Sequence, residues 1–212
     1  MHTKRMTLFL WLAAAFWACV LVASGFQANS IKIGVVDFLQ VVEQSDYYKT
    51  NDQQLKVMKD AREALLQFLD TYKVATTEQA RRMRELAVKD ALSDGEKQEY
   101  EKLKNDVLAS DKKYKELSTK PPANADDTDQ LREFARRRQA IDDMLPRWSQ
   151  ELERELHGKF AQVRSTAVDR ARASVQEIGK AGGYTILFRA DVAPYGANDV
   201  TDSTLKAMNA KK

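Results

Sequence analysis

The chain has 212 residues, of which 31% are charged, and its net charge is +3. A charged fraction above the usual quarter, with only 8 glycines and 4 prolines, favours extended helix over a compact globule. A single cysteine excludes an intramolecular disulfide and a zinc site built on several cysteines.

The N-terminal segment has the layout of a secretory signal peptide. Lys4 and Arg5 precede an uncharged apolar run over Met6–Val22, and small residues follow it. We predict that residues 1–25 are a signal peptide that is cleaved after its last residue, with a retained membrane anchor as the rival interpretation. Cleavage removes two of the 34 basic residues and none of the 31 acidic ones, and it also removes Cys19. The mature chain is therefore expected to be exported, nearly neutral and free of thiols.

Short β-rich runs lie at both ends of the mature chain. Residues 31–37 and 184–188 are predicted to form strands. Residues 192–195 are predicted to form a third, short strand at a sheet edge, where a proline is tolerated. Asp199–Asp202 is predicted to cap a final short helix.

Helical periodicity fills the middle of the chain. Residues 45–91 are predicted to be helical, with a kink at 74–77, where helix propensity is low. The Ser-x-x-Glu pattern at Ser93 is a capping box, so a new helix is predicted to start there and to run to Leu117. A linker containing two prolines follows over 118–129.

The longest apolar stripe of the chain lies between Ile141 and Ile178. Its members are three or four residues apart and are separated by charged or polar residues, which is typical of a coiled-coil seam. The helix that carries it is predicted to begin at Leu131, to kink or start afresh at Pro146, and to end at Gly182-Gly183. Such a stripe needs a partner, and the earlier helix of similar length supplies one in an antiparallel hairpin.

These elements predict an α+β fold, mostly α, in which a long antiparallel coiled-coil hairpin projects from a small β body. Residues 26–44 and 179–212 are expected to form the body. Residues 45–178 form the arm, with a tip or insert at 92–130. Two or three strands do not make a stable sheet with covered faces, so the body is expected to oligomerise.

Specific stretches at the two ends resemble the Skp/OmpH family of periplasmic chaperones. Residues 31–42 resemble the opening strand and helix start of that family. Residues 181–188 resemble its closing strand, and residues 199–209, with the pattern DVTD followed by LKAMN, resemble its C-terminus. Leu92-Ser93-Asp94 matches a polar break near the hairpin tip. The Pro-Pro linker makes the arms longer than in a typical member.

The resemblance implies a homotrimer whose helical arms surround a cavity, and an ATP-independent holdase that binds unfolded outer-membrane proteins in the periplasm. No cofactor is implied. The alternative is an envelope coiled-coil spacer or assembly protein tethered by an uncleaved N-terminal helix. The residues expected in the trimer body are Ile31, Ile33, Val35, Ile186 and Phe188.

Two arginine clusters on the arms have two interpretations. The first is the solvated face of a coiled coil. The second is a surface that attracts anionic clients, lipid headgroups or lipopolysaccharide by long-range steering. Nucleic acid is not expected, because the chain carries an export signal. The residues are Arg81, Arg82, Arg84, Arg136, Arg137 and Arg138.

We predict that the protein is not an enzyme and has no metal site. His157 is the one histidine after residue 25, so it has no second ligand or base of its kind. Gly182-Gly183 lacks a phosphate-loop pattern. The acids at 126, 127 and 129 lack the glycine and glutamate of a calcium loop.

Overall fold

The computed structural model describes residues 31–211, so the predicted signal peptide, its cleavage site and the alternative tether lie outside the described residues. This part of the chain is mostly helical and contains one small sheet of two strands. Its elements in chain order are β1 (Ile33–Val36), α1 (Phe38–Gln44), α2 (Asp46–Thr71), α3 (Thr77–Ala87), α4 (Asp94–Ser118), α5 (Ala125–Ala181), β2 (Ile186–Arg189) and α6 (Thr201–Asn209).

The two strands pair in parallel, so the long helical excursion leaves the sheet and returns to it. Ile33 lies opposite Ile186, and Val35 lies opposite Phe188. Gly34 permits this close packing, because a Cβ at that position would lie 2.8 Å from the Asn198 carbonyl oxygen. The first and last parts of residues 31–211 thus meet in one small body.

The third strand predicted at 192–195 is wrong. The free edge of β1 pairs instead with residues 198–200. The Val35 N–H donates to the Asn198 carbonyl oxygen, and the Val200 N–H donates to the Val35 carbonyl oxygen, each at 2.9 Å. Residues 192 and 193 instead donate their N–H groups to the Arg189 carbonyl oxygen, each at 3.0 Å, in a turn that follows β2.

One face of the sheet packs against helices. Thr201, the first residue of α6, binds the segment between β1 and α1, because its Oγ1 accepts from the Asp37 N–H at 2.8 Å. The Asp37 side chain also caps α1, since its Oδ1 accepts from the Gln40 N–H. Small side chains on α5 allow the helix to approach closely. The buried residues of this core are Val36, Val41, Val42, Ala167, Ala171, Val200 and Met208.

The helix α5 spans 57 residues, or about 85 Å at 1.5 Å per residue. It begins six residues before the predicted start, because the Asn124 side chain accepts from the Asp127 N–H at 2.8 Å and caps it. The fresh start predicted at Pro146 is wrong, since the helix runs through this residue with buried side chains on both sides of it. The predicted glycine stop is confirmed, and Gly183 supplies the left-handed conformation at φ 64°.

Helices α2 and α5 lie side by side along most of the arm. Positions rise along α2 as their partners fall along α5. From the body outward the contacting pairs are Tyr47 with Arg170, Arg62 with Glu155 and, just after the end of α2, Lys73 with Asp142.

The helix predicted over 45–91 is interrupted close to the kink predicted at 74–77, but the interruption is a complete reversal of the chain after Thr71, so the prediction of one kinked helix is wrong. Thr76 and Gln79 form a capping box that starts α3. Arg84 on α3 then lies beside Glu151, and Asp90 lies beside Lys159, so the chain has turned back toward the body.

Helix α4 runs outward again beside α5. The predicted capping box at Ser93 and Glu96 starts it and is confirmed. At its far end the rings of Tyr114 and Phe134 meet edge to face, with centroids 5.6 Å apart. The arm therefore has two helices near the body, four in its middle and two at its outer end.

Candidate functional site

The outer face of the two-stranded sheet is apolar and open. Ile33 and Ile186, which are paired across the strands, are each 45% exposed, and Phe188 is 37% exposed. Ile31 continues the patch at 68% exposure, whereas Val35 is 7% exposed because Gly196 packs on it. The structure thus places four of the five residues predicted for the body in one sheet, where Ile33, Ile186 and Phe188 are exposed, and Ile31 lies two residues before its first strand.

The middle of the arm has a continuous buried core. Helix α3 contributes Ala80 and Met83, which are fully buried. They pack into one cluster with residues of α2, α4 and α5. The other buried members are Leu65, Leu69, Val74, Ala75, Val107, Phe134, Ile141, Met144 and Trp148.

A groove of about 640 Å³ lies between α2 and α5, on the body side of this core. Leu66, Leu152, Leu156 and Phe160 contribute its apolar walls. Phe160 belongs to the apolar stripe between Ile141 and Ile178, for which the sequence predicts cover by a partner helix, but it is 39% exposed.

Arg62 lies beneath this groove and is 4% exposed. Its Nη2 lies 3.4 Å from Glu155 Oε2, but its Nε and Nη1 have no hydrogen-bond partner among the described residues. Glu155 is also 3.7 Å from Arg84, so one carboxylate serves two guanidinium groups. The hydrogen-bonding capacity of the buried Arg62 guanidinium is therefore only partly used.

Arg62 was not among the residues singled out from the sequence. Its position does carry a signal, since Leu55, Met58, Arg62, Leu65 and Leu69 follow the alternating steps of three and four of a seam, with the arginine at a core position.

The arginines of the first cluster, at 81, 82 and 84, are mostly paired with acidic side chains. Arg82 donates to Glu99 at 2.7 Å and to Glu85 at 2.9 Å, and these hydrogen bonds raise the pKa of its guanidinium. Arg84 lies 2.8 Å from Glu151. Arg81 is exposed and lies 3.9 Å from Glu78 on its own helix.

The second cluster lies near the outer end of the arm. Arg137 lies 3.0 Å from Glu133, and Arg138 stacks over the Tyr114 ring with its guanidinium carbon 5.1 Å from the centroid. Arg136 is exposed and makes no ion pair within residues 31–211. The two clusters thus occupy different parts of the arm and form no common site.

The joint between α3 and α4 is held by charges. Lys89 forms an ion pair with Glu96, and the Ser93 N–H donates to the same carboxylate at 2.8 Å. The lysine and then the serine lower the pKa of Glu96 to about 2. The pKa of Glu99 is also lowered, chiefly by its hydrogen bonds from Arg82.

The polar residues weighed for catalysis or metal binding serve local structure. His157 is exposed and lies 3.8 Å from Glu153 on the same helix. The acids at the start of α5 cap the helix or pair with neighbours within four residues. Residues 31–211 contain no group of three or more side chains that would hold a metal ion.

Within the same residues, none of the helices combines the length and the apolar character needed to cross a membrane.

Comparisons with known proteins identify one family. The model of the family described as outer membrane protein (OmpH-like) matches residues 32–208, which include both strands, the arm and most of α6. No curated protein and no solved structure matches the chain significantly.

Proposed function

The chain belongs to the OmpH-like outer membrane protein family, and we propose that it is a periplasmic chaperone of outer-membrane proteins that works as an ATP-independent holdase. The family membership carries this proposal. The alternative of a tethered envelope spacer is not favoured, since a coiled coil alone would not account for the family match over both ends of the chain.

The proposed active form is a homotrimer. Ile33, Ile186 and Phe188 place an apolar face on the surface of a single chain. Covering such a face contributes about 25 cal/mol per Å² of apolar area removed from water. A two-stranded sheet is also too small to be stable alone, so three copies of the face packing together would complete the body.

In this trimer each arm would act as one antiparallel hairpin, and three arms would enclose a cavity for an unfolded client. The helix α5 is long enough, at about 85 Å, to extend well beyond the body. Grooves such as the one at Leu152, Leu156 and Phe160 would offer dispersed apolar contacts. Weak contacts distributed over a large surface suit a binder that must accept many sequences.

We also propose that the outer arginine cluster contacts anionic surfaces, with Arg136 as its most available member. The inner cluster is less suited, because acids already bind Arg82 and Arg84. Co-sedimentation with anionic and with neutral phospholipid vesicles tests this. Arg136→Gln should reduce binding to the anionic vesicles, and equal binding to both vesicle types would contradict it.

The holdase proposal is tested by the aggregation of a β-barrel outer-membrane protein diluted from urea. The protein without residues 1–25 should suppress light scattering at about one trimer per client and without nucleotide. Bovine serum albumin at equal mass is the control. No suppression at any ratio would reject the proposal.

A further inference from the structure

We propose that α3 is a removable cover over a client-binding surface of the arm, and that an unfolded segment bearing apolar and basic side chains replaces it. This inference rests on the proposed chaperone function and deepens it. The surface under the cover, called here the covered surface, comprises Leu65, Leu69, Ile141, Met144 and Trp148, which share one buried cluster with Ala80 and Met83 of α3.

The cover is a short helix with a small buried face. Helix α3 has 11 residues, and its buried side chains are Ala80, Met83 and Leu86. Helices of this length are marginal in water without tertiary packing. Both ends of α3 join non-helical segments, at 72–76 and 88–93, so α3 is not continuous with either neighbouring helix.

The charged contacts that hold the cover are partly exposed, and opening must also break the two hydrogen bonds, each 2.7 Å long, that Arg82 of α3 donates to Glu99 of α4. Arg84 Nη1 lies 2.8 Å from Glu151, and its guanidinium carbon lies 5.0 Å from the centroid of the Trp148 ring. The Arg84 side chain retains contact with solvent. Ion pairs of this type contribute little net stability and weaken as salt is raised.

Closure leaves Arg62 short of hydrogen-bond partners. Glu155 divides its carboxylate between Arg62 at 3.4 Å and Arg84 at 3.7 Å. Buried donors without partners are costly. When α3 leaves, Glu155 is free to accept two hydrogen bonds from Arg62, and such bidentate pairs are the stronger kind. This gain offsets part of the cost of opening.

The covered surface and its charges specify the occupant. Met144 and Trp148 give it an adaptable apolar character. Once Arg84 has moved away, Glu151 borders this surface without its cation. The unfolded segment that fits this surface carries an apolar side chain next to a basic one, as Met83 and Arg84 do in α3. An unfolded segment with acids at those places would meet repulsion from Glu151.

A lock on the cover provides the first test. Asp90 and Lys159 lie 2.8 Å apart and connect the end of the α3 region to α5. The double variant Asp90→Cys, Lys159→Cys is joined with a short bis-maleimide, and the same variant capped with a monofunctional maleimide is its matched control. The sequence has one other cysteine, Cys19, which the chain without residues 1–25 lacks.

The probes are two short unstructured fluorescent peptides of leucine and methionine, one with two arginines and one with two glutamates in their place. The locked protein should bind the arginine peptide at least about tenfold more weakly than the capped control. The capped control should prefer the arginine peptide to the glutamate peptide. Equal binding by locked and capped protein would overturn the inference.

A second test loosens the cover. Arg84→Gln should tighten binding of the arginine peptide about threefold, as expected from losing a weak ion pair, and should speed amide hydrogen exchange at 77–87. Arg81→Gln is the matched control on the exposed face of α3 and should change neither. Unchanged exchange at 77–87 in Arg84→Gln would also overturn the inference.

The two proposals fail in different ways. If capped protein suppresses client aggregation but the lock has no effect on peptide binding, the cover inference is wrong and the chaperone proposal stands. If the unlocked wild-type protein does not suppress aggregation at all, the chaperone proposal is wrong, and the cover inference falls with it.

Discussion

Arg62 and Glu155 join the two long helices of the arm, with Arg62 Nη2 3.4 Å from Glu155 Oε2. Arg62 occupies a core position of the seam, where an apolar residue is usual. A polar residue at such a position can fix the register of paired helices at a cost in stability.

Replacing this arginine should therefore stabilise the monomeric arm. Arg62→Met removes two buried donors that lack partners and leaves Glu155 half-exposed, so the free energy of unfolding should rise by about 1 kcal/mol. Urea denaturation at a fixed protein concentration measures it. Arg81→Met, on an exposed face, should have no effect, and a loss of about 2 kcal/mol or more in Arg62→Met would contradict the interpretation.

Two glycines should respond to the same substitution in opposite directions. Gly183→Ala places a side chain at φ 64° and should cost about 1–2 kcal/mol. Gly158→Ala lies inside α5, where nothing would contact the added methyl group, and should stabilise by about 0.5–1 kcal/mol. Thermal unfolding followed by circular dichroism compares them. A change in stability of the same sign for both variants would show that the end of α5 is misplaced.

Glu96 should make the joint between α3 and α4 sensitive to acid. Its pKa is lowered to about 2 from 4.5, so its contribution is complete above pH 4.5 and is lost as the pH falls toward 2. Carboxyl NMR titration should give a midpoint near 2 for Glu96. Lys89→Met should move that midpoint toward 4.5, whereas Lys97→Met should not, because Lys97 pairs with Asp94. A midpoint near 4.5 in the wild-type protein would contradict the ion pair.

The open face of the sheet should decide the oligomeric state. Ile33→Asp places a charge in the centre of this face, where burial of an unpaired carboxylate is costly, and should yield monomers. Val57→Asp is the control, since Val57 is an exposed apolar residue on the arm. Multi-angle light scattering should give a trimer for Val57→Asp. A trimeric mass for Ile33→Asp would show that the trimer interface does not include this face.

The sequence predicted those elements whose signals are local. The strands predicted at 31–37 and 184–188 are found at 33–36 and 186–189. The existence of these strands, the capping box at Ser93 and the left-handed Gly183 follow from residue type and spacing. The helical periodicity of α5 was also sufficient to predict its existence. These features need little information about distant contacts.

Low helix propensity at 74–77 predicts a kink there, but the complete reversal after Thr71 was harder to predict, because helical periodicity continues on both sides of it. The pattern from Thr76 to Gln79 is a capping box and marks the start of α3, so a helix start was detectable there. The direction in which α3 runs was not detectable, since only the packing of Ala80 and Met83 into the core determines that α3 turns back toward the body. The edge bridge at Val35 likewise depends on a contact more than 160 residues away in sequence.

The mass of a client complex tests the chaperone account most directly. Protein without residues 1–25, mixed with a urea-diluted β-barrel outer-membrane protein, is separated by size exclusion and weighed by light scattering. We predict a complex of three chains and one client without added nucleotide. A monomeric chain that elutes apart from its aggregated client would contradict the account.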